Sequence, residues 1–145
     1  MAGSKKLITF LKHEARAFIF SAALPPPSAA AAKEAFDVIE DESWRVTKLQ
    51  DNYGRFCAML HEAGFDLLKS ETAIVPVVCE STPRATLLSK YCRDRGIFVQ
   101  AVPAPVVPEG SARLRACVSA VHSQEDIEFC ANTIINGGRE LGIIE

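Results

Sequence analysis

The run Gly110-Ser-Ala-Arg-Leu-Arg-Ala-Cys-Val-Ser-Ala-Val-His122 constrains the fold more than any other part of this chain. Arg113, Leu114, Arg115, Ala116, Cys117 and Val118 alternate polar with apolar residues and then turn apolar. That pattern belongs to a strand with one buried face. It places two arginines on one side of one strand. A guanidinium is costly to bury without an anion, and its planar fork suits a carboxylate. Either both arginines are solvated residues of a sheet face, or one of them holds a substrate carboxylate.

Composition narrows the class. The chain has 145 residues, enough for one compact domain with a real core. Hydrophobic residues make up 48% and charged residues 23%, as in an ordinary globular sequence. The formal net charge of -2 gives no basic field for nucleic acid. No apolar run approaches the roughly 20 residues of a spanning helix. The start, Met1-Ala-Gly-Ser-Lys-Lys, lacks the apolar region of a signal peptide, so a cytoplasmic location is expected. Cys57, Cys79, Cys92, Cys117 and Cys130 are an odd, widely spaced set with no Cys-x-x-Cys. They read as free, mostly buried thiols and not as a zinc site or a disulfide frame. No metal is expected.

Along the chain, Ser4 is placed to cap a helix beginning at Lys5, with Leu7, Ile8, Phe10 and Leu11 on its apolar side. Residues 17–24 read as extended and apolar. Pro25-Pro26-Pro27 prolongs the extended backbone and permits a helix only afterwards, with Ser28 as cap. Ala29 to Ala32, Ala35, Phe36 and Ile39 form that helix, which Asp41-Glu42-Ser43 ends. Val46, Leu49, Tyr53, Phe56, Cys57 and Leu60 then recur at helical spacing, and Gly64 is the expected stop. Ala73 to Cys79 is a β-branched run that Pro76 demotes to an edge or bulged strand.

Thr82-Pro83 reads as cap and first residue of a helix with Leu87, Leu88, Tyr91 and Cys92 inward and Gly96 at its end. Ile97 to Val102 is the next strand, and a proline loop, Pro103 to Pro108, leads to the arginine strand. Ser123-Gln-Glu-Asp126 resembles a capping box for a last helix with Ile127, Cys130, Ala131 and Ile134 inward. Gly137-Gly138 is expected to fray or interrupt it. The expected fold class is α+β: a small sheet of about three to four strands covered on one face by helices, preceded by a helical segment. The strands at 73–79 and 97–102 are either parallel neighbours or lie apart. The division expected is 1–40 as a linking segment and 41–145 as the small α+β domain.

The ordered pieces Ala2-Gly-Ser, Ala17-Phe-Ile-Phe-Ser-Ala-Ala-Leu-Pro-Pro, Val75-Pro-Val, Gly96-Ile-Phe-Val, Pro105-Val-Val-Pro and Ala112-Arg-Leu-Arg-Ala-Cys-Val-Ser-Ala-Val-His-Ser resemble the α-oxoamine synthases. These are fold-type I enzymes that use pyridoxal 5′-phosphate (PLP). The resemblance covers nearly the whole chain and implies the C-terminal, aminotransferase-like small domain of such an enzyme. It implies condensation of an amino acid with an acyl-CoA, a homodimer, and a large PLP-binding domain or subunit as partner.

By the same resemblance, Ser21 matches the hydroxyl residue that reaches across the dimer to the cofactor phosphate. Its other possible role is to satisfy a local turn. Arg115 matches the binder of the amino-acid carboxylate; Arg113 is read as a structural or rim residue. His122 reads as a buried, hydrogen-bonded core or capping residue in preference to a catalytic one, and His13 and His61 as surface residues. None of the lysines (5, 6, 12, 33, 48, 69 and 90) stands in the family's Schiff-base context. No catalytic residue is therefore assigned here. The resemblance implies PLP in the complete enzyme, with no cofactor held by this chain alone. The alternative is a non-catalytic partner subunit or interaction module built on the same fold.

Overall fold

A computed structural model describes residues 3–22 and 24–145; Ala2 and Ala23, which belong to two of the motifs above, lie outside the described residues. The chain forms two compact units, Met1–Glu42 and Ser43–Glu145.

The first unit contains helices α1 (Lys5–Glu14), α2 (Arg16–Ile19) and α3 (Pro26–Asp41), none of which has a buried residue. Ser4 caps α1 as expected: its hydroxyl accepts the Leu7 N–H at 3.3 Å. Two expectations are corrected. The stretch at 17–24 is not extended throughout, because Arg16–Ile19 closes a helical turn in which Phe20 N–H donates to Arg16 O at 3.0 Å. Apolarity without alternation does not separate strand from helix. Helix α3 begins at Pro26, inside the proline run, and Ser28 is not its cap. The missing N–H groups of Pro26 and Pro27 fall where a helix has no internal partner for them, and proline's fixed φ suits the first turn.

The second unit packs α4 (Trp44–Glu62), α5 (Thr82–Arg93) and α6 (Gln124–Glu140) with a three-stranded sheet of β1 (Ile74–Glu80), β2 (Gln100–Val102) and β3 (Ala112–Cys117). The sheet order is β1-β3-β2, and β3 is antiparallel to both neighbours. The strands on either side of α5 thus lie apart, with the arginine strand between them. β1 is an edge strand, as Pro76 requires; its one register shift lies between Val78 and Glu80, while Pro76 itself pairs in regular register with Arg115. The second strand is shorter than 97–102, since only Gln100–Val102 pairs with β3.

Alternation along the strands builds the core. Val75, Val77, Cys79, Ala112 and Leu114 are buried, facing Phe56, Leu60, Leu88 and Ile134 from the three helices. Gly64 and Gly96 follow α4 and α5 with φ +99° and +82°, left-handed values that glycine adopts without a Cβ penalty.

Three details of this unit differ from expectation. The residue flanking α5 is Ser81, in extended conformation, which makes Thr82 helical. The Thr82 hydroxyl instead accepts the Ala104 N–H at 3.2 Å. Leu87 is 51% exposed, because the inward stripe of α5 runs through Ala85, Leu88, Ser89 and Cys92. Helix α6 runs through Gly137 and Gly138 to Glu140. A Cβ on Gly137 would stand 2.7 Å from Leu88 and Tyr91 side-chain atoms, and one on Gly138 2.4 Å from Phe65. The glycines serve close packing, which outweighs their poor helix propensity of about 1 kcal/mol. The capping box at its start forms in full: Ser123 Oγ accepts Asp126 N–H at 3.1 Å, and an Asp126 carboxylate oxygen accepts Ser123 N–H at 2.8 Å.

Candidate functional site

The sheet has one face on the helices and one face open. Arg113, Arg115 and Cys117 alternate with the buried Ala112, Leu114 and Ala116, so they share the open face. Arg115 lies opposite Pro76 of β1 and Gln100 of β2; Arg113 lies opposite Val78 and Val102. The thiols are less buried than expected: Cys79 and Cys92 are buried, Cys57 and Cys130 are half-buried, and Cys117 is exposed because of this same alternation.

A groove of about 420 Å³ runs over this face, with Arg115, Arg113 and Lys69 as its cationic lining and Ile74, Pro76 and Val102 as apolar lining. Arg115 is exposed and has no hydrogen-bond or ion-pair partner among the described residues. Arg113 is half-buried, and its Nε donates to Ser111 O at 2.8 Å. The loop that walls the groove is pinned at several points. Tyr53 Oη donates to Ser70 O at 2.6 Å, Ser70 Oγ donates to Ile74 O at 2.7 Å, and Leu68 N–H donates to Asp66 Oδ1 at 2.8 Å. Such an arrangement can orient an acid group by two parallel N–H···O bonds.

Ser21 belongs to the first unit. It is exposed, follows α2, and its Oγ donates to Phe18 O at 3.0 Å. A hydroxyl has one proton to give, so contact with a phosphate as donor requires this local bond to break. Ser21 lines a concavity of about 500 Å³ with Ile8, Leu11 and Phe18.

His122 is half-buried at the turn between β3 and α6. Its Nδ1 accepts Ser119 N–H at 3.2 Å, which is the hydrogen-bonded role read from sequence. The same turn is held by Asn52, a fully buried residue of α4 that the sequence reading passed over. Asn52 Nδ2 donates to Ser119 O at 3.0 Å and His122 O at 3.1 Å, and its Oδ1 accepts Gln124 Nε2 at 3.2 Å. Its position on the apolar stripe, between Leu49 and Phe56, was the available signal.

The residues present fit PLP only in part. Ser21 offers one hydroxyl, whereas Lys48 is half-buried and the other lysines are exposed. Among the described residues no cluster of His, Cys, Asp and Glu suits a metal ion.

The family model for aminotransferase class I and II matches residues 1–134. The chain belongs to that family. Among its relatives are 8-amino-7-oxononanoate synthase from Thermosipho melanesiensis, 41% identical over 144 residues, and from Symbiobacterium thermophilum, 40% identical over 144 residues. Each alignment covers 99% of this chain and 37% of the relative. The chain thus spans little more than a third of the length of these relatives.

Serine palmitoyltransferase from S. paucimobilis, solved with a bound PLP–myriocin aldimine, superposes with TM-score 0.85 at 26% identity. That match covers 99% of this chain and 36% of the other. The enzyme of the same name from Sphingomonas wittichii gives TM-score 0.81 at 26% identity, with 99% and 37% covered. The α-oxoamine synthase resemblance and the aminotransferase-like α+β fold are borne out by this family member's relatives. No helix among the described residues is long and apolar enough to cross a membrane.

Proposed function

We propose that this family member is the C-terminal portion of a PLP-dependent acyl-CoA:amino acid C-acyltransferase. The complete enzyme condenses an amino acid with an acyl-CoA, releasing CoA and usually CO₂. PLP bound there supplies the electron sink for a carbanion at the amino acid's Cα. Arg115 binds the substrate carboxylate and fixes the orientation of the Cα substituents; Ser21 donates to the cofactor phosphate across a homodimer. The Schiff-base lysine belongs to the large PLP-binding domain or subunit, and residues 1–40 sit on that side of the protein. The similarity to 8-amino-7-oxononanoate synthases and serine palmitoyltransferases supports this reading.

The observation that carries it is Arg115: exposed on a paired central strand, unpartnered among the described residues, in a groove whose lining includes no carboxylate. The test is an arginine-selective NMR titration of the 145-residue chain with acetate at low ionic strength. The Arg115 side-chain signal is expected to shift, and Arg115→Gln to abolish the response. A wild-type chain in which no arginine signal on this strand moves contradicts the assignment. Addition of PLP is expected to give no stable lysine-dependent absorbance band; such a band would place the Schiff base within this chain.

A second reading, an interaction module, draws on the first unit, where Phe10, Phe20 and Phe36 are 61%, 83% and 69% exposed. Apolar surface of this kind favours association. A clean monomer in sedimentation at high concentration would count against it.

A further inference from the structure

The second arginine of the strand has no role in the function proposed above, and its surroundings are those of an anion site. Arg113 and Arg115 are two residues apart on one strand face, so their Cα atoms stand roughly 7 Å apart. Both line the same groove, with Lys69 on its wall and no carboxylate in its lining. The Nε of Arg113 is held by Ser111 O, which fixes the direction of the side chain. Its two terminal nitrogens have no partner among the described residues. Opposite Arg113 stand Val78 and Val102, and opposite Arg115 stand Pro76 and Gln100, so the sheet surface beside the two arginines is apolar apart from Gln100.

Two guanidinium groups and an ammonium group on one small surface repel one another unless anions join them. One carboxylate on Arg115 answers part of that charge. We infer that the groove takes a short dicarboxylate, one acid group on Arg115 and the second on the terminal nitrogens of Arg113, with the intervening methylenes over this apolar surface. Arg113 thereby selects for ligands that carry a second acid group. The inference rests on the carboxylate role of Arg115 and adds the second site to it.

The probes are glutarate and butyrate, which share a short apolar chain and differ in the second carboxylate. Binding to the 145-residue chain is followed by arginine side-chain NMR at low ionic strength. Glutarate is expected to bind about tenfold more tightly than butyrate and to move both arginine signals, in keeping with one added charge-assisted pair. Arg113→Gln is expected to bring the two affinities together while leaving butyrate binding in place. Arg113→Lys, which keeps the charge and loses the fork, should retain part of the preference. Lys69→Gln should leave the ratio nearly unchanged.

Equal wild-type affinities for glutarate and butyrate overturn the second site and leave the first standing. Loss of the preference in Lys69→Gln but not in Arg113→Gln overturns the assignment to Arg113. Failure of both ligands to bind overturns this inference together with the reading it rests on.

Discussion

Asn52 holds the turn that follows the arginine strand. Its amide satisfies two carbonyls of the turn that carries the chain from the arginine strand into α6. Asn52→Ala removes the donor from both part-buried carbonyls, and a loss of about 1–3 kcal/mol is expected in urea denaturation. Asp126 acts at the same turn through its charge. The Ser123 backbone N–H, and then the Ser123 side chain, hold its carboxyl below the usual 3.8. A folded value depressed below the unfolded one stabilises the fold above the unfolded value, and that contribution is lost as pH falls through the folded value. The stability gap between wild type and Asp126→Asn should therefore narrow as pH falls through and below the unfolded value of 3.8. At this scale the arginine strand was legible because alternation states which side each residue takes. Asn52 was not, because a single polar residue on an apolar stripe shows its worth only when its distant partners, Ser119 and His122, are in place.

Helix glycines make the contrast at the scale of an element. Gly54 in α4 faces open space, with no atom within 4 Å of where a Cβ would stand, so Gly54→Ala should stabilise by about 0.5–1 kcal/mol. Gly138→Ala in α6 meets the Phe65 ring at 2.4 Å and should destabilise by about 1–3 kcal/mol despite alanine's better propensity. Thermal unfolding of the two variants beside wild type checks both signs. In sequence the two positions look alike, since propensity is local and the obstacle at 138 comes from a loop more than seventy residues earlier. The same limit explains α2 and α3. Local hydrogen bonding closed a turn in a segment whose apolarity suggested extension, and prolines served as the first residues of a helix. Caps and stops were legible in part: Ser4, Gly64, Gly96 and the Ser123–Asp126 box acted as their chemistry requires, whereas Ser28 and Thr82 do not cap and Gly137-Gly138 does not end its helix.

For the molecule as a whole, the thiols report on unfolding. Burial pushes Cys79 up to about 11 and Cys92 to about 12, and it raises Cys130 to about 11, against an ordinary 9.0. Folded values above the unfolded one mean that the native state holds more protons as pH passes 9, so stability should fall as pH rises from there. Denaturation midpoints measured across the alkaline range will show the decline. In native protein an aromatic disulfide reagent should modify exposed Cys117 first and leave Cys79 and Cys92 until the fold opens.

The order β1-β3-β2 has one more consequence. The middle strand is bonded along both edges, whereas each outer strand is bonded along one. Its amides should be among the last to exchange with deuterium, after helix ends and outer edges have already opened. The strand that carries Arg113 and Arg115 is thus fastened to the frame and not to a door: fraying at the margins should blur the outline of this unit before it loosens that strand.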